Sequence, residues 1–279
     1  MNQSKLLWAG ILSSLLVAAC APKGEKSLAL DVKGDSIIGG TDVAETDKIL
    51  QSVVAVYDKT SAQLCTGSLL ENNIVITAAH CIGNGEMYVF FGTSLGPQTE
   101  RRLIDAVAIS NYWETRNSEE FNTGDIAMVH FQGTVPTGFK PAKLLKDKKL
   151  LRKDLNTVVA GYGISNGVSG EGAGVLRKTS LKIADPKYSV SEVTVDQTQG
   201  TGVCHGDSGG PAYVEIKGEY VLWGVTSRGV KDPENDCSQY AAFTSTLFYN
   251  GWIQQMQAKF KAYLAANHLP TPETPAATP

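Results

Sequence analysis

Gly202-Val203-Cys204-His205-Gly206-Asp207-Ser208-Gly209-Gly210-Pro211 sets one serine among glycines, with an aspartate directly before it and a proline closing the run. The segment is too rich in glycine for a helix, so it reads as a tight loop. Glycine at 206 and 209 lets the backbone turn its N–H groups inward with no Cβ in the way. A serine hydroxyl becomes a useful nucleophile only when a base takes its proton and donors stabilise the oxyanion that its attack creates. Alone, the loop also reads as a glycine-rich hairpin turn.

Two other segments supply the missing groups. Ile74-Val75-Ile76-Thr77-Ala78-Ala79-His80-Cys81 ends an apolar, strand-like run in small residues and a histidine, and Asp125-Ile126-Ala127-Met128-Val129 opens another strand with an aspartate. Histidine, aspartate and serine in this chain order match a chymotrypsin-type triad. With Ile37-Ile38-Gly39-Gly40 added, the chain resembles the chymotrypsin-like (trypsin-like) serine proteases, and its four matching segments run in the family's order from Ile37 to Pro211. The resemblance implies an all-β fold: two six-stranded antiparallel β-barrels, the active site in the cleft between them, and a C-terminal helix. It also implies a serine endopeptidase that takes protein or peptide substrates through an acyl-enzyme intermediate. A catalytically silent binding module on the same fold is the alternative, because fold does not fix activity.

The resemblance carries over residue by residue. His80 would take the proton from Ser208 and return it to the leaving amine, work suited to an imidazole at physiological pH. Asp125 would hold the imidazole's tautomer, and the N–H groups of Gly206 and Ser208 would form the oxyanion hole. Ile37-Ile38-Gly39-Gly40 is where the family's precursors are cut, so the new ammonium of Ile37 would pair with Asp207; a plain strand-turn is the other reading. The primary specificity slot would be built from Gly202, Val203, Gly229 and Ala241, with Ser227 and Arg228 on its wall and His205 at its rim. With no acid at Gly202 the slot is expected to be uncharged and to favour apolar or aromatic P1 residues. Arg228 stands where the family usually has tryptophan; it either favours an acidic residue further along the substrate or is a solvated side chain. The resemblance pairs Cys65 with Cys81 and Cys204 with Cys237.

The N-terminal residues add an address. Lys5 and the apolar run 6–17 read as a signal peptide over 1–19, too short to remain as a spanning helix. Val17-Ala18-Ala19-Cys20 looks like a bacterial lipobox, implying lipid on Cys20 and a membrane anchor; an ordinary signal cleaved nearby is the alternative. Five cysteines are odd for an exported chain, and lipidating Cys20 leaves an even set of four for an oxidising compartment. Residues 20–36 are a polar linker or propeptide. No arginine or lysine stands directly before Ile37, so an activating protease of other specificity would cut Ser36–Ile37, or Lys33 would be cut first and the end trimmed. Because both disulfides would lie beyond that cut, activation would also release the domain from the membrane.

The remainder, 37–267, reads as one protease domain. Short runs rich in β-branched and aromatic residues, separated by Asn, Gly and Asp, predict antiparallel strands. Trp252, Ile253, Met256, Phe260 and Leu264, three or four apart, predict one buried face of a helix over 247–267. Residues 268–279, rich in Pro, Thr and Ala, read as a disordered tail. A net charge of −3 gives no basic footprint for nucleic acid. No cofactor is implied, no metal site is expected, and the chain is expected to be a monomer. His130, His205 and His268 are not expected to act as the base.

Overall fold

The structure is a computed structural model that describes residues 37–71, 73–115 and 123–266. The expected signal segment, Cys20, the linker 20–36 and the tail 268–279 lie outside these residues. No helix among the described residues is long and apolar enough to cross a membrane.

A two-residue strand, β1 (Thr41–Asp42), precedes the first barrel. That barrel consists of β2 (Val53–Asp58), β3 (Gln63–Glu71), β4 (Ile74–Thr77), β5 (Met87–Phe91), β6 (Glu100–Ile109) and β7 (Ala127–Phe131), closed in the order β2-β3-β4-β7-β6-β5. Every residue of β2, β4 and β7 is buried, which explains their continuous apolar character. Closure pairs every strand on both sides and leaves no open edge. A five-residue helix, α1 (Asn111–Thr115), interrupts the path from β6 to β7.

The crossover contributes β8 (Lys143–Leu144), which lies parallel to a strand of the second barrel. That barrel comprises β9 (Asn156–Gly161), β10 (Arg177–Asp185), β11 (Glu192–Asp196), β12 (Pro211–Ile216), β13 (Glu219–Val230) and β14 (Tyr240–Ser245). It runs β9-β10-β11-β14-β13-β12 and returns to β9 through Ala212 opposite Val159. The two six-stranded antiparallel barrels are therefore present as expected. In the second half the sequence's β-rich runs are 155–163, 176–183, 211–216, 220–226 and 240–246, and β11 has no counterpart among them. The chain ends in α2 (Asn250–Ala266), whose Ile253, Met256, Phe260 and Leu264 are buried; Trp252 is partly buried against the same core.

Two clusters make the core. One spans the first barrel, the barrel interface and α2; the other fills the second barrel. In the second, a buried indole, hydroxyl and carbonyl satisfy one another. Trp223 Nε1 donates to Thr157 Oγ1 (2.8 Å), which donates in turn to Tyr213 O (2.8 Å).

Candidate active site

Each element delivers its residue to one cleft of about 460 Å³ between the barrels. β4 ends at Thr77, and a single 3₁₀ turn, Ala79–Cys81, carries His80. The Cys65–Cys81 disulfide ties that turn to β3, with Cα atoms 6.1 Å apart. Asp125 stands two residues before β7, and Thr244 Oγ1 on β14 donates to its main-chain oxygen (2.9 Å), so both barrels fix it. Thr66 on β3 stitches in the serine loop: its N–H donates to Ser208 O (2.8 Å) and its hydroxyl to Gly206 O (2.9 Å).

Asp125 holds His80 twice. Its Oδ1 accepts the main-chain N–H of His80 (3.0 Å), and its Oδ2 lies 2.8 Å from His80 Nδ1. Ser227 Oγ donates to the same Oδ2 at 2.7 Å. Burial works against this carboxylate, but the His80 ring's hydrogen bond and charge, with the Ser227 hydroxyl and the His80 N–H, outweigh it and hold the carboxyl below its usual range. Asp125 is 2% exposed, whereas His80 and the half-buried Ser208 both face the cleft. Among the described residues, no hydrogen bond joins the His80 ring to Ser208 Oγ. The Trp113 ring on α1 lies 6.3 Å from the His80 ring and forms a further wall, one the sequence did not single out.

Most main-chain donors of the serine loop are engaged within the protein. Cys204 N donates to Asp207 Oδ2, Asp207 N to Cys204 O, Gly209 N to Thr226 O and Gly210 N to Asp207 O. The N–H groups of Gly206 and Ser208, like that of exposed His205, have no protein acceptor among the described residues. Gly206 (φ +95°) and Gly209 (φ +79°) take backbone conformations that side chains disfavour. A Cβ on Gly206 would sit 2.7 Å from Gly163 Cα, and one on Gly209 2.0 Å from Thr77 Oγ1.

Asp207 is fully buried, and its two oxygens accept from Gly163 N and Cys204 N, both at 2.8 Å. Burial outweighs these bonds and the field of Arg177, pushing its carboxyl up to about 7. Ile37 is also fully buried, in the second-barrel core, and Ile38 O accepts from Gly202 N (3.0 Å). With the Ser36–Ile37 bond intact Ile37 has no ammonium group, so the expected ion pair with Asp207 is not formed in this uncut chain. Ile37 instead sits at φ +52°, a strained setting for a β-branched residue.

Around the serine, Val203, His205, Ser227, Arg228, Gly229 and Ala241 border the cleft, whereas Gly202 does not line it and lies against Gln197, which does; the Cys204–Cys237 disulfide spans the cleft's side with Cα atoms 5.4 Å apart. Arg228 is not the solvated side chain that one of its two readings anticipated. Its guanidinium forks onto Glu192, Nη1 to Oε1 at 2.6 Å and Nη2 to Oε2 at 2.9 Å, and the Glu192 side chain is 0% exposed. Burial weakens the arginine's charge, but Glu192 outweighs it and raises its pKa. The slot is also not free of acids: Asp232 borders the cleft, with Oδ2 accepting Cys237 N (2.8 Å). Its Oδ1 is closed to solvent and has no partner, so it is not offered to an entering side chain. Buried Gln197 also borders the cleft and is not singled out by the sequence. Of the other histidines, His130 is buried with its Nδ1 2.5 Å from Asp105 Oδ1, exposed His205 Nε2 lies 3.3 Å from Asn235 Nδ2, and His268 lies outside the described residues.

Known proteins match over most of the chain. The family model for trypsin matches residues 37–253. The chain is 28% identical over 239 residues to chymotrypsin-like elastase family member 1 of Macaca fascicularis, covering 78% of this chain and 88% of the relative. It is 27% identical over 213 residues to the protein of the same name from Canis lupus familiaris, covering 70% of this chain and 81% of that relative. With barrels, cleft and a matching span of this length in agreement, the chain belongs to the trypsin family of serine endopeptidases, which hydrolyse peptide bonds in proteins and peptides.

Proposed function

We propose that the chain is exported as an inactive precursor and, once cut before Ile37, hydrolyses peptide bonds through His80, Asp125 and Ser208. The observation that carries this reading is the grip of Asp125 on both the ring and the main chain of His80, at the cleft that Ser208 also faces. Ser208 Oγ attacks the scissile carbonyl carbon while His80 Nε2 takes its proton, and the carbonyl electron pair moves onto oxygen. The unengaged N–H groups of Gly206 and Ser208 receive that oxyanion. His80 passes the proton to the departing amine as the C–N bond breaks, and water then repeats the sequence on the acyl-enzyme. Asp125 keeps the proton of the resting imidazole on Nδ1 and stabilises the imidazolium.

Cleavage before Ile37 acts on two costs already present. It removes the carbonyl that defines the strained φ of Ile37, and it supplies an ammonium to a buried carboxyl whose two hydrogen bonds do not offset its desolvation. The activating protease does not require a basic residue, because Ser36 precedes the cut, unless Lys33 is cut first and the end trimmed. Cys20 carries lipid and holds the precursor at a membrane of the cell envelope; the cut releases the domain as a monomer. The slot of Gly202, Val203, Gly229 and Ala241 takes apolar or aromatic P1 side chains, since the one acid beside it keeps its free oxygen covered.

The test is the intact mass of the exported protein after reaction with a serine-reactive phosphonate. We expect an adduct on the species that begins at Ile37 and none on the uncut chain, and Ser208→Ala is expected to lower turnover by at least about 10⁴-fold. An adduct on the uncut chain would remove the activation step. No adduct on either form, with biological activity unchanged in Ser208→Ala, would replace the enzyme with a binding module.

A further inference from the structure

We propose that Gln197 is the floor of the primary specificity pocket, filling from a neighbouring segment the space that a side chain on residue 202 would need, and that it restricts the pocket to uncharged P1 residues of moderate length. The inference rests on the protease reading above and assigns its substrate class to one side chain. A Cβ built on Gly202 would lie 2.3 Å from Gln197 Cδ and 2.5 Å from its Oε1, closer than real Cβ atoms approach anything. Residues 197 and 202 therefore compete for one volume, and the glutamine occupies it.

The amide is clamped in a single orientation. Oε1 accepts Val203 N (2.8 Å), and Nε2 donates to Cys237 O (2.9 Å) and Val203 O (3.3 Å). Turning it over would set NH₂ against N–H and oxygen against two carbonyls, so the hydrogen bonds themselves fix the assignment. A carboxylate at this position would meet the same two carbonyls, which makes the floor neutral by construction. The main chain is held as well, since Gln197 N donates to Gln239 O (2.9 Å) and Gly200 N to Gln197 O (3.1 Å). Gln197 directly follows β11, whose Asp196 pairs with Tyr240 of β14, one residue from Ala241 of the slot. The sheet thus delivers the glutamine beneath the pocket. It is 1% exposed, so its amide closes the bottom of the slot and spends its donors on the wall, leaving none for a substrate.

The experiment uses the chain cut before Ile37, wild type and the variants Gln197→Ala, Gly202→Asp and the two combined. Active sites are titrated with a phosphonate that lacks a P1 side chain, and kcat/KM per labelled site is measured on peptide anilides with P1 Leu, Tyr, Trp or Lys. Gln197→Ala is expected to deepen the pocket and raise the Trp-to-Leu ratio by about 10-fold or more. Gly202→Asp alone is expected to label poorly, because its Cβ has no room; the double variant is expected to regain labelling and to cleave after Lys at least about 100-fold faster than wild type. Unchanged P1 ratios in Gln197→Ala, or Lys cleavage by Gly202→Asp alone equal to that of the double variant, would overturn the assignment. If Gln197→Ala does not label, Gln197→Asn, one methylene shorter with its amide kept, is read by the same ratios. A wild-type cut chain that does not label overturns the protease reading, and the floor assignment falls with it; labelling with unchanged ratios overturns the floor alone.

Discussion

Glu192 carries a charge that water does not reach, and Arg228 is what makes this tolerable. Paired and forked, the two groups roughly offset their desolvation; one left alone does not. Arg228→Ala is therefore expected to destabilise the protein by about 3–5 kcal/mol, and Arg228→Ala combined with Glu192→Ala by clearly less. Urea unfolding of the two singles and the double decides it: a cost of Arg228→Ala that is the same with and without Glu192 would mean that the pair is not coupled. The arginine's position in the cleft was legible from its place after Ser227, but its partner lies 36 residues earlier on a different strand. Gln197 and Trp113 escaped for the same reason. A sequence motif reports which residues flank the serine; it does not report which distant side chain is turned towards the same space.

At the scale of elements, the Cys65–Cys81 bridge closes a loop of sequence separation 16 around β4 and the turn that carries His80. By chain entropy a loop of that length is worth about 3 kcal/mol. Replacing both cysteines by serine is expected to cost about that much in thermal unfolding and to lower kcat, because the turn then keeps only its hydrogen bonds, His80 N to Asp125 among them. Unchanged stability and unchanged kcat together would show that the turn is held without the bridge. Most strands were legible because they are short β-branched runs, and α2 because its buried residues recur every three or four positions. β11 was not. Its Glu192, Val193, Thr194 and Val195 are all buried, so an acid and a threonine lie inside the protein where their polarity suggests a loop. The Arg228 fork that makes this burial possible is tertiary, and no local pattern encodes it.

For the whole molecule, the serine loop lies between the two barrels, and the proposed activation would make the state of Asp207 link the loop's order to whether the chain has been cut. In the uncut chain its carboxyl lies at about 7, well above the roughly 3.9 of an unfolded aspartate. The raised value means that the folded form prefers the neutral acid. The contribution is complete below about pH 4 and is lost as pH rises through about 7, at up to about 1.4 kcal/mol per pH unit. Under the proposed activation, cutting before Ile37 would reverse the preference, because an ammonium against the same carboxylate favours its charged form until the ammonium loses its proton in the alkaline range. The expected outcome is measurable by urea unfolding between pH 5 and 7 on four proteins: uncut and cut chains, each with Asp207 or Asp207→Asn, which cannot ionise. Relative to its Asn variant, the uncut chain should lose stability across this window and the cut chain should not. Equal slopes in both pairs would mean that the new N-terminus does not reach Asp207, and the link between cleavage and the oxyanion loop would have to run through the relief of strain at Ile37 alone.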